Sequence, residues 1–177
     1  MRLFVALDLP WQLKQRLLLL AGGVPGARWV PPENLHLSLR FIGEVSPVQA
    51  EEIDHALAAV RAPRFSLSLA GVGVFEKSGR GGVLWVGVER DAALDHLQTK
   101  IETALQRAGL EPERRRFAPH LTLARLGNAP EAKIAEFMQS KNLFRAAPVP
   151  MEHFTLFSSH LHREGSIYTP EVEYPLT

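Results

Sequence analysis

None of the 177 residues is a cysteine, so disulfides, thiolate metal sites and a thiol nucleophile are excluded. Long apolar stretches are missing too. The longest, Leu17 to Val24, is interrupted by Gly22-Gly23 and falls far short of the ~20 residues that span a bilayer. The N-terminus has one basic residue before Asp8 and Pro10, which is no pattern for a secretory signal, and the expected compartment is the cytoplasm. Excess charge of either sign is absent as well. A net charge of +1 argues against a basic surface that coats a long nucleic-acid backbone, but leaves room for a small anion or one chain end. With 46% apolar and 22% charged residues, the composition is that of an ordinary globular protein.

The length is generous for one domain and short for two. Leu3 to Leu7 reads as a strand, and Leu13, Leu17 and Leu20 follow at helical spacing after Pro10. Ser46-Pro47-Val48-Gln49 has the chemistry of a helix start, with Ser to cap, Pro in the first turn and Gln to complete a capping box. Phe65 to Val74 and Val83 to Val88 read as strands joined by a charged, Gly-rich loop at Glu76 to Gly82. Asp91 to Ala108 carries Leu94, Leu97, Ile101 and Leu105 on one stripe, with Gly109 beyond its end. Another helix is expected over Pro130 to Gln139, and final strands at Phe154 to Ser158 and Ser166 to Tyr174. The resulting order, β-α-β-α-β-β-α-β-α-β-β, repeats a strand-helix-strand-pair unit at about 35–88 and 119–174 within one 1–177 domain. An α+β fold of two pseudo-two-fold lobes is expected, each an antiparallel sheet with helices outside and a cleft between them.

Each unit opens on the same pattern. Leu35-His36-Leu37-Ser38-Leu39 and His120-Leu121-Thr122-Leu123 are His-x-Ser/Thr-x tetrads in apolar runs. On a strand, residues i and i+2 share a face, so His36 and Ser38 look one way, about 6.6 Å apart, while the leucines look into a core. One such tetrad alone reads as a half-exposed polar pair. Two in equivalent places of a repeat offer two imidazoles and two hydroxyls to one anion. A third copy, at His153, aligns with Arg64 through the likeness of Phe154-Thr155-Leu156 to Phe65-Ser66-Leu67, so it has no partner histidine and reads as structure or surface.

Histidine is the side chain that titrates nearest neutrality, so one ring can be held neutral and the other charged. Such a pair suits phosphodiester cleavage: one ring takes a proton from the attacking oxygen and the other protonates the leaving oxygen. Ser38 and Thr122 can donate to the non-bridging oxygens, where charge gathers. No carboxylate cluster accompanies the histidines, and His-x-Ser is poor ligand spacing, so neither a metal nor another cofactor is expected. The residues leave open which imidazole has which task.

Across its whole length the chain resembles the 2H phosphoesterase superfamily, and within it the RNA 2′,3′-cyclic phosphodiesterase family, formerly described as 2′-5′ RNA ligases. The landmarks are Arg2 to Pro10, Asn34 to Val45, Pro119 to Arg125 and Phe154 to Ser159, with Ser38 standing where the family usually has Thr. The resemblance implies hydrolysis of a cyclic phosphate at an RNA end, or on a small cyclic nucleotide, to a 2′-phosphomonoester. It implies His36 as proton donor and His120 as acceptor, and 2′-5′ joining of RNA ends in reverse. It also implies Arg125 in the site, although strict alternation puts Arg125 on the face away from His120, so a bulge or strand end must turn it inward. Phe4 is a candidate to line the cleft and stack on a base. Arg114, Arg115 and Arg116 are a basic loop beside the second tetrad. Two other readings stand beside the hydrolase: an RNA-end-binding module without turnover, and a related enzyme for another small cyclic phosphate. No membrane contact and no obligate protein partner are expected.

Overall fold

The structure is a computed structural model, and it describes residues 1–76 and 82–177. In chain order the elements are β1 (Arg2–Asp8), α1 (Trp11–Leu18), β2 (Arg28–Trp29), a 3-10 turn (Pro32–Asn34), β3 (His36–Glu44), α2 (Pro47–Ala58), β4 (Phe65–Glu76), β5 (Gly82–Val88) and α3 (Ala92–Arg107). β6 (His120–Arg125), α4 (Glu131–Lys141), β7 (Arg145–Met151), β8 (His153–His162) and β9 (Gly165–Pro175) complete the chain. The expected loop at Glu76 to Gly82 falls, for residues 77–81, outside the described residues; β4 and β5 on either side of it pair antiparallel.

The helix signals act as local chemistry dictates. Ser46 and Gln49 exchange side-chain and backbone bonds in a full capping box with Pro47 just inside. Asp91 caps α3 by accepting from Ala93 and Leu94. At the other end Gly109 takes φ +99°, which L side chains resist, and the Leu110 N–H reaches back to the Leu105 carbonyl to close a Schellman motif. The apolar stripe of α3 is fully buried.

The strands form two antiparallel sheets, ordered β3-β1-β8-β9 and β2-β6-β5-β4-β7. Counted from the tetrad strand, β8 and β4 hold the same place, as the likeness of their sequences suggests. The rest of the repeat is interlaced. β3 sits in the first sheet while β4 and β5, which follow it, sit in the second; β5 holds the place of β1, and β7 that of β9. β2 and β7 were not expected. β2 is two residues long, and β7 contains Pro148 and Pro150, which lack the N–H a strand needs. β7 escapes that cost because it lies at the sheet edge, with β4 on one side only.

α2 and α3 pack on the first sheet through β9 and β3, and α1 and α4 on the second through β7 and β4. Between helices and sheets runs one continuous core that takes Leu35 from just before β3, Leu37 and Leu39 from β3, and Leu121 and Leu123 from β6. Burying each leucine is worth about 1.5–3 kcal/mol, which pins both tetrad strands with their polar residues facing away from the helices. β3 and β6 lie against each other across the two sheets.

Candidate active site

That arrangement gathers both tetrads around one cavity of about 580 Å³, lined by His36, Ser38, His120, Thr122 and Arg125. The two histidines are held in the same way. His36 Nδ1 lies 2.7 Å from the carbonyl oxygen of Asn34, and His120 Nδ1 lies 2.7 Å from that of Ala118. A carbonyl only accepts, so Nδ1 carries the hydrogen in both rings. In the neutral ring the lone pair is therefore on Nε2. His36 Nε2 stands 3.0 Å from Ser38 Oγ, so the hydroxyl donates to it when the ring is neutral.

Their surroundings differ. His36 packs near Phe4 (4.9 Å between ring centroids), Tyr168 (5.3 Å) and Phe157 (6.1 Å). Burial pulls its proton affinity below the ordinary histidine value of 6.5, against the bond to Asn34 and the Asp8 carboxylate, which raise it; the Lys14 ammonium lowers it further. His120 has the edge of Phe75 at 4.9 Å, and Phe75 is itself exposed.

Strict alternation along the two strands is broken at equivalent points. Pairing with β1 passes from Ser38 to Arg40 and skips Leu39; pairing with β5 passes from Thr122 to Ala124 and skips Leu123. One extra residue reverses which face the rest of the strand presents. Arg125 is thereby turned into the cleft with His120 and Thr122, where unbroken alternation would have sent it away. On β3 the corresponding residue is Phe41, half exposed at the rim of a smaller adjoining cavity that also holds Arg2, His36 and Arg125. Arg40 goes the other way, into the interior. Its guanidinium meets the Glu102 carboxylate of α3 through Nε and Nη2 and donates to the carbonyl oxygens of Phe41 and Glu111.

Phe4 borders the smaller cavity but is only 6% exposed. It stacks on Phe157 at 5.1 Å and meets Tyr168 edge-on, forming a small aromatic cluster under His36. Phe4 thus lines the cavity with little surface of its own, and its ring lies against His36. Arg114, Arg115 and Arg116 are exposed on the segment before β6 and border neither cavity. His153 is half exposed, 3.8 Å from Glu173. Tyr168, Phe41 and Arg28 border the cleft without having been singled out. Tyr168 and Phe41 have an aromatic signal only, and nothing local separates them from core aromatics. Among the described residues no group of three or more His, Asp or Glu is placed to hold a metal ion, and no helix is long and apolar enough to cross a membrane.

Residues 15–163 match the 2′-5′ RNA ligase superfamily. The chain is 38% identical over 148 residues to an RNA 2′,3′-cyclic phosphodiesterase of Aeropyrum pernix, covering 82% of this chain and 84% of that one. It is 31% identical over 171 residues to the one of Archaeoglobus fulgidus, covering 95% and 96%. Among solved structures it resembles that of Escherichia coli LigT with 3′-AMP, with a TM-score of 0.82 at 30% identity and coverage of 99% and 98%.

Proposed function

The chain belongs to the 2′-5′ RNA ligase superfamily, and on that premise we propose that it hydrolyses 2′,3′-cyclic phosphodiester ends of RNA to 2′-phosphomonoesters by imidazole acid-base chemistry. The observation that carries this reading is that two imidazoles of like tautomer and two hydroxyls share one cavity. Water attacks phosphorus as its proton passes to Nε2 of His120. The P–O3′ bond breaks, and the proton on Nε2 of His36 goes to O3′, leaving a free 3′-hydroxyl and a phosphate on O2′. The two rings then exchange protons with solvent to reset. Ser38, Thr122 and Arg125 meet the non-bridging oxygens, where negative charge grows.

Burial bears on the donor. In the free protein His36 holds its proton weakly; a phosphodiester anion seated against it supplies the charge that favours the imidazolium. Substrate binding and arming of the acid are thus one event. Exposed Phe41 and Arg2, whose guanidinium lies 5.6 Å from the Phe41 ring, extend the cleft for the nucleotide that carries the phosphate. Reverse joining through a 2′-5′ linkage uses the same groups with their roles exchanged, and a cytoplasmic setting suits such RNA-end work. Incubating an RNA oligonucleotide ending in a 2′,3′-cyclic phosphate with the protein and EDTA tests the proposal. A 2′-phosphate product is expected. Tight binding of that end without turnover would establish the binding-module reading instead, and faster turnover of another cyclic phosphate would move the substrate class.

A further inference from the structure

The lobes put the same imidazole and hydroxyl into the cleft, but they differ in what stands beside the imidazole. On β1 the cross-strand partner of His36 is Asp8; on β5 the partner of His120 is Gly87. Directly opposed residues share a face of the sheet, so Asp8 stands on the same face as His36. At Gly87 nothing larger than hydrogen fits. A Cβ there would lie 2.4 Å from the carbonyl oxygen of Ala70. The backbone of the second lobe therefore excludes any carboxylate from the matching place beside His120.

Asp8 is also held in position. Its Oδ1 lies 3.3 Å from Lys14 Nζ and accepts from the Leu9 N–H at 3.0 Å. Lys14 is 9% exposed, and a lysine is seldom that far inside without a partner. The pair ties α1 to the face of the first sheet that carries His36.

We infer that Asp8 is a positioning residue that helps His36 hold its proton, with Lys14 as its counterweight, and that this one-sided carboxylate favours His36 over His120 as the acid of the pair. The inference rests on the hydrolase reading above and divides the labour within it. Burial strips proton affinity from His36, and Asp8 opposes it, while Lys14 limits how far that opposition goes. The other charged or titratable groups facing His36 are His120 and Arg125 from β6, Tyr168 from β9 and Arg2 from β1. Arg28 and Glu164 border the same cavity. Among these, Asp8 alone is both anionic and paired in register with the ring.

The test is the pH dependence of kcat/KM on an RNA oligonucleotide ending in a 2′,3′-cyclic phosphate, for the parent, Asp8→Asn, Lys14→Met, the double variant and Asp8→Glu. Asp8→Asn is expected to lose about three- to ten-fold on the alkaline side, with little change below the limb. Lys14→Met should gain on the alkaline side, the double variant should return towards the parent, and Asp8→Glu should restore most of the loss. A uniform loss at every pH, or no loss on the alkaline side, overturns the inference by reducing Asp8 to scaffold. A gain on the acid side with no loss on the alkaline side overturns it differently, by making His36 the base. NMR titration of the His36 ring in the same variants reads the effect without turnover: Asp8→Asn must lower it, and an unmoved titration sinks the proposal. Absence of turnover by the parent is a separate failure, that of the hydrolase reading itself.

Discussion

The sheet that carries His36 and the sheet that carries His120 share a histidine, a hydroxyl, a carbonyl bond to Nδ1 and a bulge one residue after the hydroxyl. They part company around the ring. The first sheet closes over His36 with three aromatic rings and sets Asp8 beside it. The second leaves His120 against one exposed phenylalanine and a glycine. The two sheets supply two like groups, whereas the proposed acid-base catalysis needs two unlike ones. The differences lie where a catalytic pair has to differ, in dielectric and in neighbouring charge.

The sharpest way to break the comparison is to remove each imidazole in turn. His36→Ala and His120→Ala are each expected to cost about 10²–10⁴-fold in kcat on a cyclic-phosphate RNA end. A double variant as active as the parent would end the account. Ser38→Ala and Thr122→Ala come next, with losses of about 10²-fold in kcat and folding unchanged. If only one of them matters, the hydroxyls are not equivalent.

Arg40 and its counterpart Ala124 offer a stability comparison, since the first lobe ties its bulge to a helix by an ion pair and an alanine cannot do so in the second. Glu102→Gln should destabilise by about 3 kcal/mol, measured by urea unfolding, because it leaves the buried Arg40 cation unpaired. Arg40 holds the Glu102 carboxyl below its ordinary value of 4.5. The stability it contributes is therefore full above that value and lost as pH falls through the lowered one. The parent should lose stability in that acidic window more steeply than the variant. Gly87→Ala is expected to cost about 1–3 kcal/mol, since the Ala70 carbonyl must give way.

The smallest effect is a shift in a profile. kcat/KM reports the free protein, where His36 binds its proton more weakly than an ordinary histidine, so the limb that His36 sets should lie at lower pH than in kcat. kcat reports the complex, whose phosphate anion favours the protonated ring, so its limb should lie at higher pH. Coincident limbs would mean that binding does not arm the acid.

Much of this site was legible before any coordinates. Leu35, Leu37 and Leu39 alternate with His36 and Ser38, and period-two alternation is enough to say which side chains share a face. The capping box at Ser46 and the glycine stop at Gly109 are also local chemistry, read correctly for that reason. Arg125 was legible as a conflict, since its place in the motif and its parity on the strand disagreed until the skipped Leu123 reconciled them. Phe4, Tyr168 and Phe41 were not separable. An aromatic residue in a strand looks the same in sequence whether it supports a histidine, lines a cleft or fills a core. β7 was hidden by Pro148 and Pro150, which argue against a strand everywhere except at an edge.

Residue order alone determined the faces of the tetrads, the helix ends and the presence of two matching polar pairs, because these depend on neighbours within a few positions. Tertiary structure decided that the pairs meet, that both bulges turn their strands, and that Asp8 stands opposite one histidine while a glycine stands opposite the other. Those facts depend on cross-strand register and burial, which are set by packing between segments far apart in the chain.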